Sequence, residues 1–143
     1  MHLFDRASGV HVLLDEVRAP PRKWATAPRQ ISVALTNACD LSCSFCYAPK
    51  TPSVLDASAV VDWLSELDAG GCLGVGFGGG EPTLHPEFAA LCRRVASETR
   101  LAVTFTTHGH RLGLKQAKID TRHRHATSVH IASDPDQCRR LSD

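Results

Sequence analysis

No stretch of this chain stays apolar for the roughly 20 residues that a membrane-crossing helix needs, so the sequence predicts no spanning segment. An excess of charge of either sign is also missing. The formal net charge is +1 with eight histidines counted neutral, which gives no global electrostatic case for a nucleic acid or an anionic membrane as partner. The one basic run, Arg122-His123-Arg124-His125, reads as a solvated loop. The opening MHLFDRASGVHVLL lacks a basic stretch followed by a long apolar one, so no secretory signal is expected. A cytoplasmic, reducing location follows as the expectation, and there a cluster of cysteines points to metal or catalysis rather than to disulfides. The glycines lack the lysine and hydroxyl of a phosphate-binding P-loop and the spacing of a dinucleotide fingerprint. Beyond Cys92 only Cys138 remains, which excludes a second cysteine set for an auxiliary cluster.

The 143 residues suffice for one modest domain, and 43% hydrophobic with 22% charged residues is a globular composition. Residues 2–17 read as a small hairpin turning at Ala7-Ser8-Gly9, followed by a proline linker at Ala19–Lys23. Trp24 could anchor that linker. A strand, Ile31–Thr36, comes next, rich in β-branched and apolar residues. Asp56 caps a helix to about Ala69, with Val60, Val61, Leu64 and Leu67 on one face and Gly70-Gly71 at its end. Further strands are expected at Cys72–Phe77, Leu101–Thr106 and Ser128–Ala132. Helices are expected at Pro86–Glu98, weakly at Leu112–Ile119, and as a last turn at Pro135–Leu141. The helical acids, with Asp15 and Glu16, read as a solvated face. Cys72 and Cys92 read as small core hydrophobes, Cys138 as incidental, and His123, His125 and His130 as surface or loop residues. Strand, helix, strand in alternation is the pattern of a parallel sheet with crossover helices. In such sheets the functional loops gather at the C-terminal ends of the strands.

Two of those strand ends carry chemistry. The first holds Cys39, Cys43 and Cys46, spaced three residues apart and then two. Thiolates hold iron–sulfur clusters and zinc, and three of them leave one position open, either on a cubane iron or on a tetrahedral metal. A zinc site would need a fourth ligand, for which His85, His108 and His110 are candidates. Phe45, just before the last cysteine, could shield a cluster. The second end is Gly78-Gly79-Gly80-Glu81-Pro82. Glycine lets the backbone approach a ligand closely, and strand-end carbonyls with the Glu81 carboxylate suit a bound ammonium group. The loop Thr106-Thr107-His108-Gly109 lies on the same edge.

Cys39-x3-Cys43-x2-Cys46 after one strand and Gly79-Gly80-Glu81-Pro82 after the next resemble the radical S-adenosylmethionine (radical SAM) superfamily, over about Ile31 to Asp134. The stretch from Arg29 to Gly109 looks most like the branch of molybdenum-cofactor-synthesis enzymes and peptide maturases. The resemblance implies a [4Fe–4S] cluster ligated by Cys39, Cys43 and Cys46, with S-adenosylmethionine (SAM) on the fourth iron. Gly79, Gly80 and Glu81 match the motif that contacts the methionine amino group. Phe45 matches an aromatic position near adenine, Thr106 or Thr107 a strand-end threonine near SAM, and Ser133 a polar residue facing the ribose. The implied activity is reductive cleavage of SAM to a 5′-deoxyadenosyl radical that takes hydrogen from a small-molecule or peptide substrate. The cofactors carry that chemistry and the protein positions them. A flavodoxin or ferredoxin would supply the electron.

The implied fold is α/β, a partial (β/α) barrel of parallel strands. Residues 1–28 form the hairpin and linker, and 29–143 the core. At roughly 30 residues per unit the family's barrel needs about 180 residues, so this core reaches about four of six βα units. An edge left open after the fourth strand would expose unpaired backbone unless covered. His108 stands where many relatives have asparagine. The alternative function is a non-catalytic iron–sulfur or zinc-binding fragment without the substrate half of the barrel.

Overall fold

The computed structural model describes residues 2–5, 10–14, 20, 25–44, 46–111 and, as backbone, 128–131. Two short strands, β1 (His2–Phe4) and β2 (His11–Leu13), pair antiparallel with Phe4 opposite His11. This is the expected hairpin, with strands shorter than the sequence suggested. Its turn lies outside the described residues, as do Pro21–Trp24.

The main sheet holds β3 (Gln30–Thr36), β4 (Gly74–Gly79), β5 (Ala102–Thr107) and β6 (Ser128–Ile131), in that spatial order and all parallel. Helix α1 (Ala57–Ala69) links β3 to β4, and α2 (Phe88–Glu98) links β4 to β5. Asp56 Oδ1 accepts the Ala59 N–H at 2.8 Å, the N-cap that the sequence predicts. Helix α2 begins two residues later than expected, because Pro82–Leu84 first makes a 3-10 turn. Strand β4 is displaced in the other sense. It begins at Gly74 and runs through the glycines to Gly79, where composition placed it at Cys72–Phe77. GVGFGG has little strand propensity of its own. It is extended because β3 and β5 bond it on both sides. The expected helices at 112–119 and 135–141 lie outside the described residues.

Alternation along the strands sorts the two faces. Val33, Leu35, Val75, Phe77, Val103 and Phe105 are buried against Val60, Val61, Leu64, Phe88, Leu91 and Val95 of the helices. Phe88 meets Phe105 edge to face with ring centroids 5.1 Å apart. Cys72 and Cys92 belong to this core as expected, and burial pushes the Cys92 thiol up to about 12. One expectation fails. Asp68 is buried rather than solvated, because its Oδ2 accepts the Arg100 backbone N–H at 3.1 Å and the Arg100 Nε–H at 3.3 Å. No helix among the described residues is long and apolar enough to cross a membrane.

The other face of the sheet carries Ser32, Ala34, Gly76, Gly78, Thr104 and Thr106. These small side chains leave room for a cleft of about 620 Å³ against the sheet.

Candidate metal centre and adjoining cleft

The cysteine loop is closed at its base before any cysteine is reached. Leu55 N–H donates to Leu35 O at 2.9 Å, and Asn37 N–H to Ser53 O at 2.9 Å. Thr36 Oγ1 donates to Ser53 O at 3.0 Å and accepts the Ala38 N–H at 3.0 Å, and Asn37 Nδ2 donates to Thr51 O at 3.0 Å. The outgoing and returning strands of the loop are therefore stitched together, and the cysteines sit on the arch above. Within the arch, the Cys46 N–H donates to Cys43 O at 3.2 Å, a tight turn that brings the last two cysteines near each other. All three are free thiols, half-buried at Cys39 and Cys43 and exposed at Cys46. The Ala48 amide, assisted by the Lys50 ammonium, outweighs a small desolvation effect and holds the Cys46 thiol below its ordinary range. That favours the thiolate, the form that ligates metal. Phe45 lies outside the described residues.

The glycine loop locks into this arch through backbone alone. Gly80 N–H donates to Thr36 O at 2.7 Å, and Glu81 N–H to Ala38 O at 2.8 Å. Gly79 has φ +113°, a conformation open to glycine, and a Cβ there would overlap the Thr36 carbonyl. A Cβ at Gly80 would overlap the Ala38 carbonyl. The two glycines are thus required by the approach of one loop to the other. Gly80→Ala is expected to force the loops apart at a cost of about 3 kcal/mol, read as a lowered denaturation midpoint. An unchanged midpoint would show that this junction yields freely.

Glu81 is 1% exposed. Its Oε1 accepts Thr83 N–H at 3.1 Å, Thr83 Oγ1 at 2.6 Å and Thr107 Oγ1 at 2.8 Å, and its Oε2 accepts His108 N–H at 3.0 Å. The carboxylate ties the ends of β4 and β5 together. Of the two threonines that the motif left open, Thr106 is exposed and lines the cleft, whereas Thr107 is buried on Glu81. Ser133 lies outside the described residues.

A further group stands beside Cys39. One Asp40 carboxylate oxygen, the Cys39 Sγ and a His108 ring nitrogen all lie within 4.8 Å of one another. His108 Nε2 is 2.7 Å from Asp40 Oδ1, and Arg111 Nε donates to Asp40 Oδ2 at 3.2 Å. Desolvation works against the Asp40 charge, but the hydrogen bonds from His108 and Arg111 prevail and hold its pKa below the usual value. Sequence reading passed over Asp40 and Arg111, which are 68 and 71 residues from their partners and carry no local signal. Of the histidines considered as a fourth ligand, His85 is removed. Its Nε2 bonds Leu55 O at 2.8 Å and its Nδ1 accepts the Glu87 N–H at 3.2 Å, so both ring nitrogens are spent on backbone. His110 is exposed, its ring edge-on to that of His108 at 4.7 Å.

The cleft is bounded by both loops. Asn37, Tyr47, Ala48 and Pro49 come from the cysteine arch, Gly78–Gly80 from the glycine loop, and Thr104 and Thr106 from β5. Three free thiols stand on a braced arch beside a cleft with glycine backbone along its rim, and one of them is biased toward thiolate; among the described residues only Cys39 joins a close donor group, with Asp40 and His108.

Comparison with known proteins gives a family and a fold. The Radical SAM superfamily model matches residues 33–134. The mycofactocin maturase MftC of Mycobacterium ulcerans is 34% identical over 89 residues, which is 60% of this chain and 24% of the maturase. The GTP 3′,8-cyclase of Streptomyces coelicolor is 29% identical over 116 residues, 76% of this chain and 31% of the cyclase. Among solved structures, Streptococcus suis SuiB bound to the precursor peptide SuiA superposes with a TM-score of 0.64 at 22% identity, covering 73% of this chain and 24% of SuiB. BtrN in complex with AdoMet and 2-DOIA gives 0.59 at 18% identity, covering 77% and 49%. The chain spans about a quarter of the length of the first maturases it matches.

Proposed function

We propose, from the premise that this chain belongs to the Radical SAM superfamily, that it holds a [4Fe–4S] cluster through Cys39, Cys43 and Cys46 and binds SAM in the cleft beside it. The observation that carries this is the interlock of the two loops. The arch with the three thiols and the loop with Gly79, Gly80 and Glu81 are bonded to each other backbone to backbone, over a cleft of about 620 Å³. When bound, the cluster supplies one electron for cleavage of the SAM sulfonium to methionine and a 5′-deoxyadenosyl radical. The residues of the chain bind and orient. The glycine loop presents strand-end carbonyls to the methionine amino group, with the buried Glu81 bracing it from behind, and Thr106 lines the cleft; the family resemblance assigns Phe45 to adenine and Ser133 to the ribose.

In this reading residues 29–143 form the core, about four of six βα units of a partial barrel, and residues 1–28 are an appended hairpin and linker. The protein is cytoplasmic, a flavodoxin or ferredoxin donates the electron, and the substrate is a small molecule or a peptide. The peptide is supported by the similarity to a maturase and by SuiB, a protein of the same fold solved with its precursor peptide.

The test is anaerobic. The chain is reconstituted with iron and sulfide, reduced with dithionite and given SAM. 5′-Deoxyadenosine detected by mass spectrometry above a cluster-free control is the expected outcome. A cluster that forms without any deoxyadenosine would reject catalysis by this chain. One observation favours a second reading, a zinc-holding module without catalysis: the Cys39, Asp40 and His108 donors lie within 4.8 Å of one another, a set that zinc accepts. Bound zinc in place of iron and sulfide in the reconstituted protein would select it.

A further inference from the structure

The acid next to the first cysteine is held with more care than a surface aspartate needs. Asp40 Oδ1 is 2.7 Å from His108 Nε2, and Oδ2 accepts from Arg111 Nε at 3.2 Å. The His108 ring is fixed in turn. Its Nδ1 accepts the His110 N–H at 3.2 Å, so the ring hydrogen sits on Nε2 and the ring donates toward Asp40. The same Nε2 is 3.3 Å from Glu81 Oε2, and the His108 N–H donates to that oxygen at 3.0 Å. One imidazole, its side chain 10% exposed, thus joins the cysteine loop, the glycine loop and the end of β5. The held carboxylate lies within 4.8 Å of the Cys39 Sγ.

A negative charge this close to a metal thiolate disfavours adding an electron, and so lowers the reduction potential of the centre. Arg111 opposes that effect from the outer oxygen, but its side chain is 50% exposed against 38% for Asp40, so water weakens its charge the more. The outer hydrogen-bonding shell of a metal centre is where such tuning resides. We propose that His108 is a positioning residue. By donating to Asp40 it keeps the carboxylate against the Cys39 end of the cluster, which makes the reduced cluster a stronger electron donor. This rests on the proposed cluster-binding function.

The experiment is a redox titration of the reconstituted chain, followed by the electron paramagnetic resonance signal of the reduced cluster, on wild type, Asp40→Asn, His108→Ala and His108→Gln. Asp40→Asn removes the charge and keeps a side chain of the same shape. At the wild-type midpoint it is expected to raise the ratio of reduced to oxidised cluster about tenfold, a rise of about 59 mV for a one-electron couple. His108→Ala frees the carboxylate to turn away and moves the potential in the same direction. His108→Gln places an amide N–H donor near the position of Nε2 and returns the potential toward wild type, a rescue that a loss of packing does not give. Circular dichroism on each variant shows which are folded, and Asp40→Asn decides the matter if His108→Ala is not. A cluster in wild type and Asp40→Asn with the same midpoint overturns this inference and leaves the proposed function standing. A wild-type chain that assembles no cluster overturns both.

Discussion

Cys43→Ala is expected to leave the chain unable to assemble a [4Fe–4S] cluster. The arch offers three thiols, and with Cys43 removed only Cys39 and Cys46 remain, too few to hold a cubane. Among the described residues nothing nearby replaces the missing sulfur. Cys72 and Cys92 are buried on the helical side of the sheet, where burial keeps the Cys92 thiol protonated with a pKa pushed up to about 12. The backbone of the arch survives the change, because the Cys46 N–H bonds the carbonyl of residue 43 and not its side chain. Iron and acid-labile sulfide per chain, measured after anaerobic reconstitution, read the result, with circular dichroism confirming the fold. Cys92→Ala is the matched control and should retain the cluster. A Cys43→Ala protein with full iron and sulfide would falsify the ligand assignment.

Glu81→Ala carries the second large effect, and its first sign is expected in stability without any ligand. The substitution strips the acceptor from the Thr83 and Thr107 hydroxyls and from the Thr83 and His108 amides at a buried site. Hydrogen bonds to a charged group contribute about 1.5–3 kcal/mol each, and orphaned buried donors add a penalty of their own. Even with partial relaxation the loss should reach about 3 kcal/mol or more. Denaturant unfolding of the wild-type and variant chains in the absence of SAM measures it. SAM affinity should fall as well, since the same carboxylate holds the glycine loop against β5. A variant of unchanged stability that had lost SAM affinity would show that Glu81 acts on the ligand alone, and that the buried network is not what it contributes.

The family was legible because its two motifs are local. Three cysteines within eight residues, and glycines beside an acid, stand at fixed covalent spacing. The sorting of Val75 and Phe77, or Val103 and Phe105, to the helical side is equally local, since alternation needs no knowledge of neighbours. What the sequence hid depends on residues far apart meeting. Asp40 finds its partners 68 and 71 residues away, and no periodicity encodes that meeting. Asp68 looked like one more solvated helical acid until the chain returned Arg100 to it from the far side of α2. His85 looked like a ligand because a histidine offers the same two nitrogens whether they face a metal or, as here, a Leu55 carbonyl and a Glu87 amide. The extent of β4 was misread for a related reason. Its residues are extended by pairing on both flanks, and composition records only the weak intrinsic preference of Gly-Val-Gly-Phe-Gly-Gly.

The stitching of Leu35, Thr36 and Asn37 to Thr51, Ser53 and Leu55 bears on the thermodynamics of filling the proposed centre. Closing a flexible loop costs free energy that grows with the logarithm of its length. Here the ends are already met by the protein's own backbone, so the cost of closure falls on folding and not on metal uptake. On the proposed reading, incoming iron and sulfide would have only the crown of the arch to order, and a centre stripped by oxygen would leave the pedestal standing, so that refilling would be a local repair rather than a refolding.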